Sequence, residues 1–169
     1  MAYNLITTDY AAHLASPVEP EVDAICNAVA GMILATFAPL NLDKPLKGAS
    51  GAAVTLPPQL PWAVVLPDPA GGTAEQTYSG QQAHYHRLLL LFIFGPPMPG
   101  DRLVTENLRY LHAAHMAITA NQHLDIGTTG IKAATWDWGT LDYAGKAWAA
   151  LQLHLTVRAL YALRWNNMP

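Results

Sequence analysis

Apolar residues fall at Val22, Ile25, Cys26, Val29, Met32, Ile33 and Phe37, spacings of three and four that draw one stripe along a helix. Glu19, Glu21 and Asp23 sit in its first turn, where carboxylates meet the positive end of the helix dipole. Pro39 stops it, so a helix is expected over Val22 to Phe37. From Asn41 to Pro61 Gly, Pro, Ala and Ser recur without a period, and the segment reads as a long loop. Trp62 to Leu66 is a short, continuously apolar strand closed by Pro67 and Pro69, with a second loop from Ala70 to Gln82. His84 to Phe94 reads as a strand amphipathic in its first half and apolar on both faces in its second, as in the middle of a sheet.

Gly95-Pro96-Pro97 and Pro99-Gly100 break the chain before a second helix. Asp101 is its expected cap, and Val104, Leu108, Leu111, His115 and Ile118 mark its expected buried face. The last third reads as a hairpin of Ile131 to Trp138 and Trp148 to Tyr161, with a tip from Gly139 to Gly145 longer than a tight turn. In its second strand Ala149, Leu151, Leu153, Leu155 and Val157 alternate with Gln152, His154, Thr156 and Arg158, which puts one face in a core. The expected fold is one α+β domain over 1–169, ordered helix, strand, strand, helix, strand, strand. It has a small sheet of about four strands, two helices packed on it and an N-terminal arm over 1–16.

Charge changes the picture. Only 12% of the residues are charged and 51% are apolar, where about 25% charged is usual. So little solvating surface points to a chain partly covered by neighbouring protein. The net charge is −3 and no Lys/Arg block exists, so the linear electrostatic footprint of a nucleic-acid binder is missing. Met1 to Tyr10 lacks the cations and apolar run of a signal peptide. Leu88 to Phe94, the longest apolar run, is far short of a membrane span. Cys26, the single cysteine, excludes an internal disulfide, and a soluble, cytoplasmic protein is expected.

Candidate chemistry is thin. His84 and His86 share a strand face, and His154 on another strand completes the best metal-ligating set, for a small metal-binding enzyme. Gly80 to His86 resembles the first motif of a cupin, but Arg87 to Leu91 supplies no carboxylate ligand, and hydrogen-bonded strand histidines are the simpler reading. His112 and His115 share a helical face without the glutamate of an H-E-x-x-H site, and read as one solvated and one packed against the sheet. Ser16, Ser50 and Ser79 sit in no nucleophile elbow, and Cys26 lies on the apolar stripe. Gly71-Gly72 and Gly127 to Gly130 form no phosphate loop, and Asp137 and Asp142 read as solvated hairpin residues. No catalytic, metal or cofactor residues are assigned, and no enzyme is expected. Trp136 and Trp138 share one strand face, and Trp148 opens the paired strand near them. The three read as a hairpin core, with an interface as the alternative.

This order of elements resembles that of tailed-bacteriophage tail terminators. Leu60 to Leu66 is similar to their first strand entry, Arg87 to Phe94 with Pro96-Pro97 to their second strand, and the helix from Asp101 to Ala120 and the closing hairpin complete the set. The resemblance covers most of Val22 to Tyr161. It implies one sheet with both helices packed on it, in copies that form a homohexameric ring. Such a ring would sit on the last ring of tail tube protein, stop polymerisation and offer a surface to the head-tail connector. DNA would pass through the lumen unread, in a virion tail or neck assembled in the host cytoplasm. Under it the loop from Asn41 to Pro61, the tip from Gly139 to Gly145 and the tryptophans are the expected contacts, with Arg87, Arg158 and Arg164 as candidates for ion pairs between subunits and ordinary solvation as the equal alternative for each. A head-completion or stopper protein is the alternative of the same kind.

Overall fold

In the computed structural model, residues 19–51, 57–76, 81–97, 100–121, 124, 128–143 and 145–162 are described. The N-terminal arm over 1–16 and Arg164 lie outside them. Chain order is α1 (Glu19–Phe37), β1 (Gly48–Ser50), β2 (Trp62–Pro67), β3 (Thr73–Gln76), β4 (Gln81–Gly95), α2 (Gly100–Ala120), β5 (Thr128–Tyr143) and β6 (Lys146–Ala162). The class is α+β, with a six-stranded mixed sheet ordered β1-β2-β4-β6-β5 and β3 paired to β4 beside β2. Four strands were expected; the two extra ones, of three and four residues, lie inside the segments read as loops.

β1 is hidden in the sequence because it is built of small residues for close approach. It pairs parallel with β2, Gly48 opposite Trp62. A Cβ on Gly48 would lie 2.2 Å from the Trp62 ring, and one on Gly51 2.4 Å from the Asn27 backbone nitrogen. Only glycine lets this segment lie flat between β2 and α1. The start of the expected loop is tied to α2: Tyr110 Oη donates to the Lys44 carbonyl at 2.6 Å, Lys44 Nζ pairs with Glu106 at 2.9 Å, and Arg109 pairs with Asp43.

The spine is the antiparallel pair β4–β6, in register from Gln81↔Ala162 to Gly95↔Ala149. Alternation sends Leu88, Leu90, Phe92 and Phe94, with Leu151, Leu153, Leu155 and Val157, to the face that both helices cover. Leu91 and Ile93 point the other way and form a second cluster with Val64, packed by Leu60, Trp62, Leu66, Leu141, Tyr143 and Trp148. Both faces of this half of β4 are therefore buried, as its continuous apolar run requires. Phe37 of α1 stacks on Phe92 at 5.3 Å, and Tyr110 of α2 meets Phe37, Phe92 and Phe94 at 5.4, 5.3 and 4.9 Å. That aromatic contact joins both helices to the sheet.

Three expectations need correction. β5 and β6 run on to Tyr143 and Lys146, so the hairpin tip is a tight turn in which Gly145 takes φ 73°, and the longer loop is absent. Asp101 does not precede its helix, because α2 already begins at Gly100. The face that α2 buries is turned from the expected one. Asn107, Tyr110, Leu111, Ala113, Ala114, Ala117 and Ile118 are buried, whereas Val104 and Leu108 are exposed. Three alanines let the helix backbone approach the sheet closely, so the small residues and not the largest apolar ones line the contact.

Asn107 is wholly buried, and neither of its amide atoms has a hydrogen-bond partner among the described residues. Leaving such a group unsatisfied costs about 1–3 kcal/mol. Asn107→Leu is therefore expected to stabilise the fold by about 1–2 kcal/mol in urea unfolding, while Leu153→Ala should destabilise it by about 2–5 kcal/mol. A destabilised Asn107→Leu chain would mean that the amide has a structural partner.

Candidate functional site

β5 is the marginal strand of the sheet: sixteen residues paired to β6 along one edge and to no described strand along the other. Its ladder shifts register between Thr128 and Gly130 and again between Ala133 and Thr135, then runs without irregularity from Thr135↔His154 to Tyr143↔Lys146. The second shift decides where the tryptophans go. Ile131 pairs with Val157 on the helix face, and simple alternation from there would send positions 136 and 138 to the other face, with Trp148. The extra residue reverses the phase. Trp136, opposite Leu153, and Trp138, opposite Leu151, therefore lie on the helix face, and Trp148 alone lies on the second.

The expected trio is thus split by the sheet. Trp148 is packed in the second cluster, its Nε1 donating to the Tyr143 carbonyl at 3.0 Å. Trp136 and Trp138 are 48% and 38% exposed, large apolar surfaces left in water. The Trp136 ring meets the His115 ring of α2 edge-on at 5.6 Å. Val104 and Leu108, 40% and 51% exposed, precede His115 by eleven and seven residues, about three and two helical turns, on the same flank of α2. Four large side chains from α2 and β5 thus form one apolar margin beside an open strand edge. Apolar side chains of this size are more often covered than left in water.

The other candidates are dispersed. His84 and His86 stand opposite Ala159 and Val157 on the helix face, their rings 5.9 Å apart, whereas His154 stands opposite Leu89 on the second face. The three-histidine set is not assembled, and no group of three His, Cys, Asp or Glu side chains with metal-site geometry occurs among the described residues. His112 is exposed and His115 is packed, as expected. Arg87 and Arg158 are diagonal neighbours on the second face, away from the apolar margin. No described helix is long and apolar enough to cross a membrane.

One polar constellation escaped the sequence reading. His154 Nδ1 lies 3.1 Å from Asp68 Oδ2, and its Nε2 lies 3.0 Å from Gln152 Nε2. Asp68 follows β2 and His154 lies mid-β6, eighty-six residues apart, so only the register brings them together over β4. The Ala70 amide donates to Asp68 Oδ1 at 2.8 Å. That hydrogen bond, then the one from His154, holds the Asp68 carboxyl below its ordinary value of 3.8. With no nucleophile assigned beside it, the pair reads as a tie across the second face. No protein-family model matches the chain, and no curated protein matches it.

Two outcomes follow. Because the folded Asp68 binds its proton more weakly than the unfolded one, its contribution is present above about pH 4 and lost as the pH falls through the folded value. Asp68→Asn should therefore lower stability at neutral pH, by a difference that shrinks as the pH falls, read by urea unfolding across the acid range. Burial pushes the Cys26 thiol up to about 11, with Asp23 adding to the shift. The folded protein should leave a thiol reagent unreacted at pH 8 and react fully in urea.

Proposed function

We propose that this chain is a structural capping protein of the tail-terminator kind. Copies close into a ring of about six on the end of a tail tube. The ring halts tube growth and offers its other surface to the head-tail connector, while DNA passes through unread. The observation that carries this reading is the apolar margin of Val104, Leu108, Trp136 and Trp138 beside sixteen residues of open strand edge. A solitary chain gains nothing from leaving these groups in water, and protein neighbours bury them. The order of the six long elements, helix, strand, strand, helix and a closing hairpin, supports the same reading. So does a chain with only 12% charged residues.

The test is the mass of the purified protein by light scattering, followed by electron microscopy with tail tubes. Rings that seat on tube ends and limit tube length are expected. A stable monomer indifferent to tubes overturns the proposal, and rings that bind a connector but never a tube would make the chain a stopper instead. Trp136→Ala with Trp138→Ala should weaken assembly about tenfold or more while the circular dichroism stays unchanged. Trp148→Ala should instead lower stability by about 2–4 kcal/mol, because that ring packs within the chain.

A further inference from the structure

We infer that the second face of the sheet binds the phosphate backbone of duplex DNA, through Arg87, Lys132 and Arg158 gathered around Thr156. The site rests on the strand register; DNA as its occupant rests on the ring reading.

These cations are distant in sequence, and the ladder unites them. Thr156 of β6 has Arg87 of β4 as its partner on one side and Lys132 of β5 on the other. Their neighbours Leu88, Leu155 and Ile131 belong to the core under the helices, so Arg87, Thr156 and Lys132 share the second face. Arg158, two positions beyond Thr156, lies on that face as well. Strand partners stand about 5 Å apart and their diagonal neighbours about 7 Å, within the reach of arginine and lysine side chains. A chain without any Lys/Arg block thus acquires a basic cluster by pairing alone.

The cluster is open to solvent. Both helices pack on the opposite face, Arg87 and Lys132 are exposed, and neither forms an ion pair with a described residue. Arg158 is half-buried and already engaged, so it adds charge without a free guanidinium fork. Asp68, the carboxylate nearest Arg87, is held by the Ala70 amide and by His154. Asp137 opposite Gln152, and Glu75 opposite Ala83, each stand four positions along the ladder from the row of Thr156. That is roughly 13 Å, where salt at about 0.1 M screens exposed charges.

Phosphate suits this set. A guanidinium pairs with two phosphate oxygens, lysine supplies a compact charge, and the Thr156 hydroxyl is a further donor. Such contacts go to the backbone and carry no sequence information, as required of DNA that passes unread. Under the ring reading neighbours cover the apolar margin of the helix face, which leaves the second face to the lumen.

The experiment titrates the purified chain with duplexes of two unrelated sequences at several salt concentrations, with light scattering alongside. Both duplexes should bind alike, and more weakly as salt rises. Arg87→Gln with Lys132→Gln should weaken binding about tenfold or more and flatten the salt dependence. Circular dichroism should stay unchanged, because both side chains are exposed. Lys47→Gln, at an exposed cation just before β1 on the far margin of the sheet, should leave binding as it is. A ring that binds no duplex, or a double variant that binds as well as the wild type, overturns the site and leaves the ring reading standing. Pyrophosphate or a polyglutamate peptide bound where the duplex is not would overturn DNA as the occupant. A monomer that binds duplexes in the expected way overturns the ring reading alone.

Discussion

Everything in this fold hangs on the pairing of β4 with β6, strands of fifteen and seventeen residues laid antiparallel through the middle of the sheet. Because side chains alternate, that ladder fixes at once which residues face the helices and which face away. β2 and β3 then share the far side of β4, one at each end. β5 takes the free side of β6 and, being nearly as long, leaves a long edge that no described strand pairs with. The helices have one apolar face to cover, and Phe37, Phe92, Phe94 and Tyr110 hold them on it.

The way α2 is seated then decides what the surface offers. Ala113, Ala114 and Ala117 face the sheet and allow a close approach, with the helix turned so that Val104 and Leu108 sit at the rim. Burying apolar surface stabilises by roughly 25 cal/mol per Å², so a helix that leaves its larger apolar residues outside forgoes that gain within a single chain. Under the capping reading proposed above, contact between chains would recover that gain. The same helix carries Asn107, whose buried amide has no hydrogen-bond partner among the described residues.

Much of the fold was legible in the sequence because its long elements carry clean periods. The stripe on α1, the alternation along β6 and the unbroken apolar run of β4 each have one physical reading, and the α+β class follows from their order. What escaped depended on contacts distant in sequence. β1 is three small residues that make a strand only because Trp62 and Asn27 leave room for nothing larger. The face of α2 was misread because apolar size marks a stripe in a sequence, while close approach to a sheet selects alanine. Trp136 and Trp138 were read as sharing a face, but as part of a hairpin core with Trp148; they are exposed, and only Trp148 is packed. The Asp68–His154 tie left no local signal at all, since only the register unites its halves.

That misplacement traces to one residue. The irregularity between Ala133 and Thr135 sets which side of the sheet receives Trp136 and Trp138. Closing it up by deleting a single position would carry both indoles through to the side that holds Trp148, with no change in any side chain. The side of the sheet on which these indoles are exposed is in that sense a matter of counting as much as of composition.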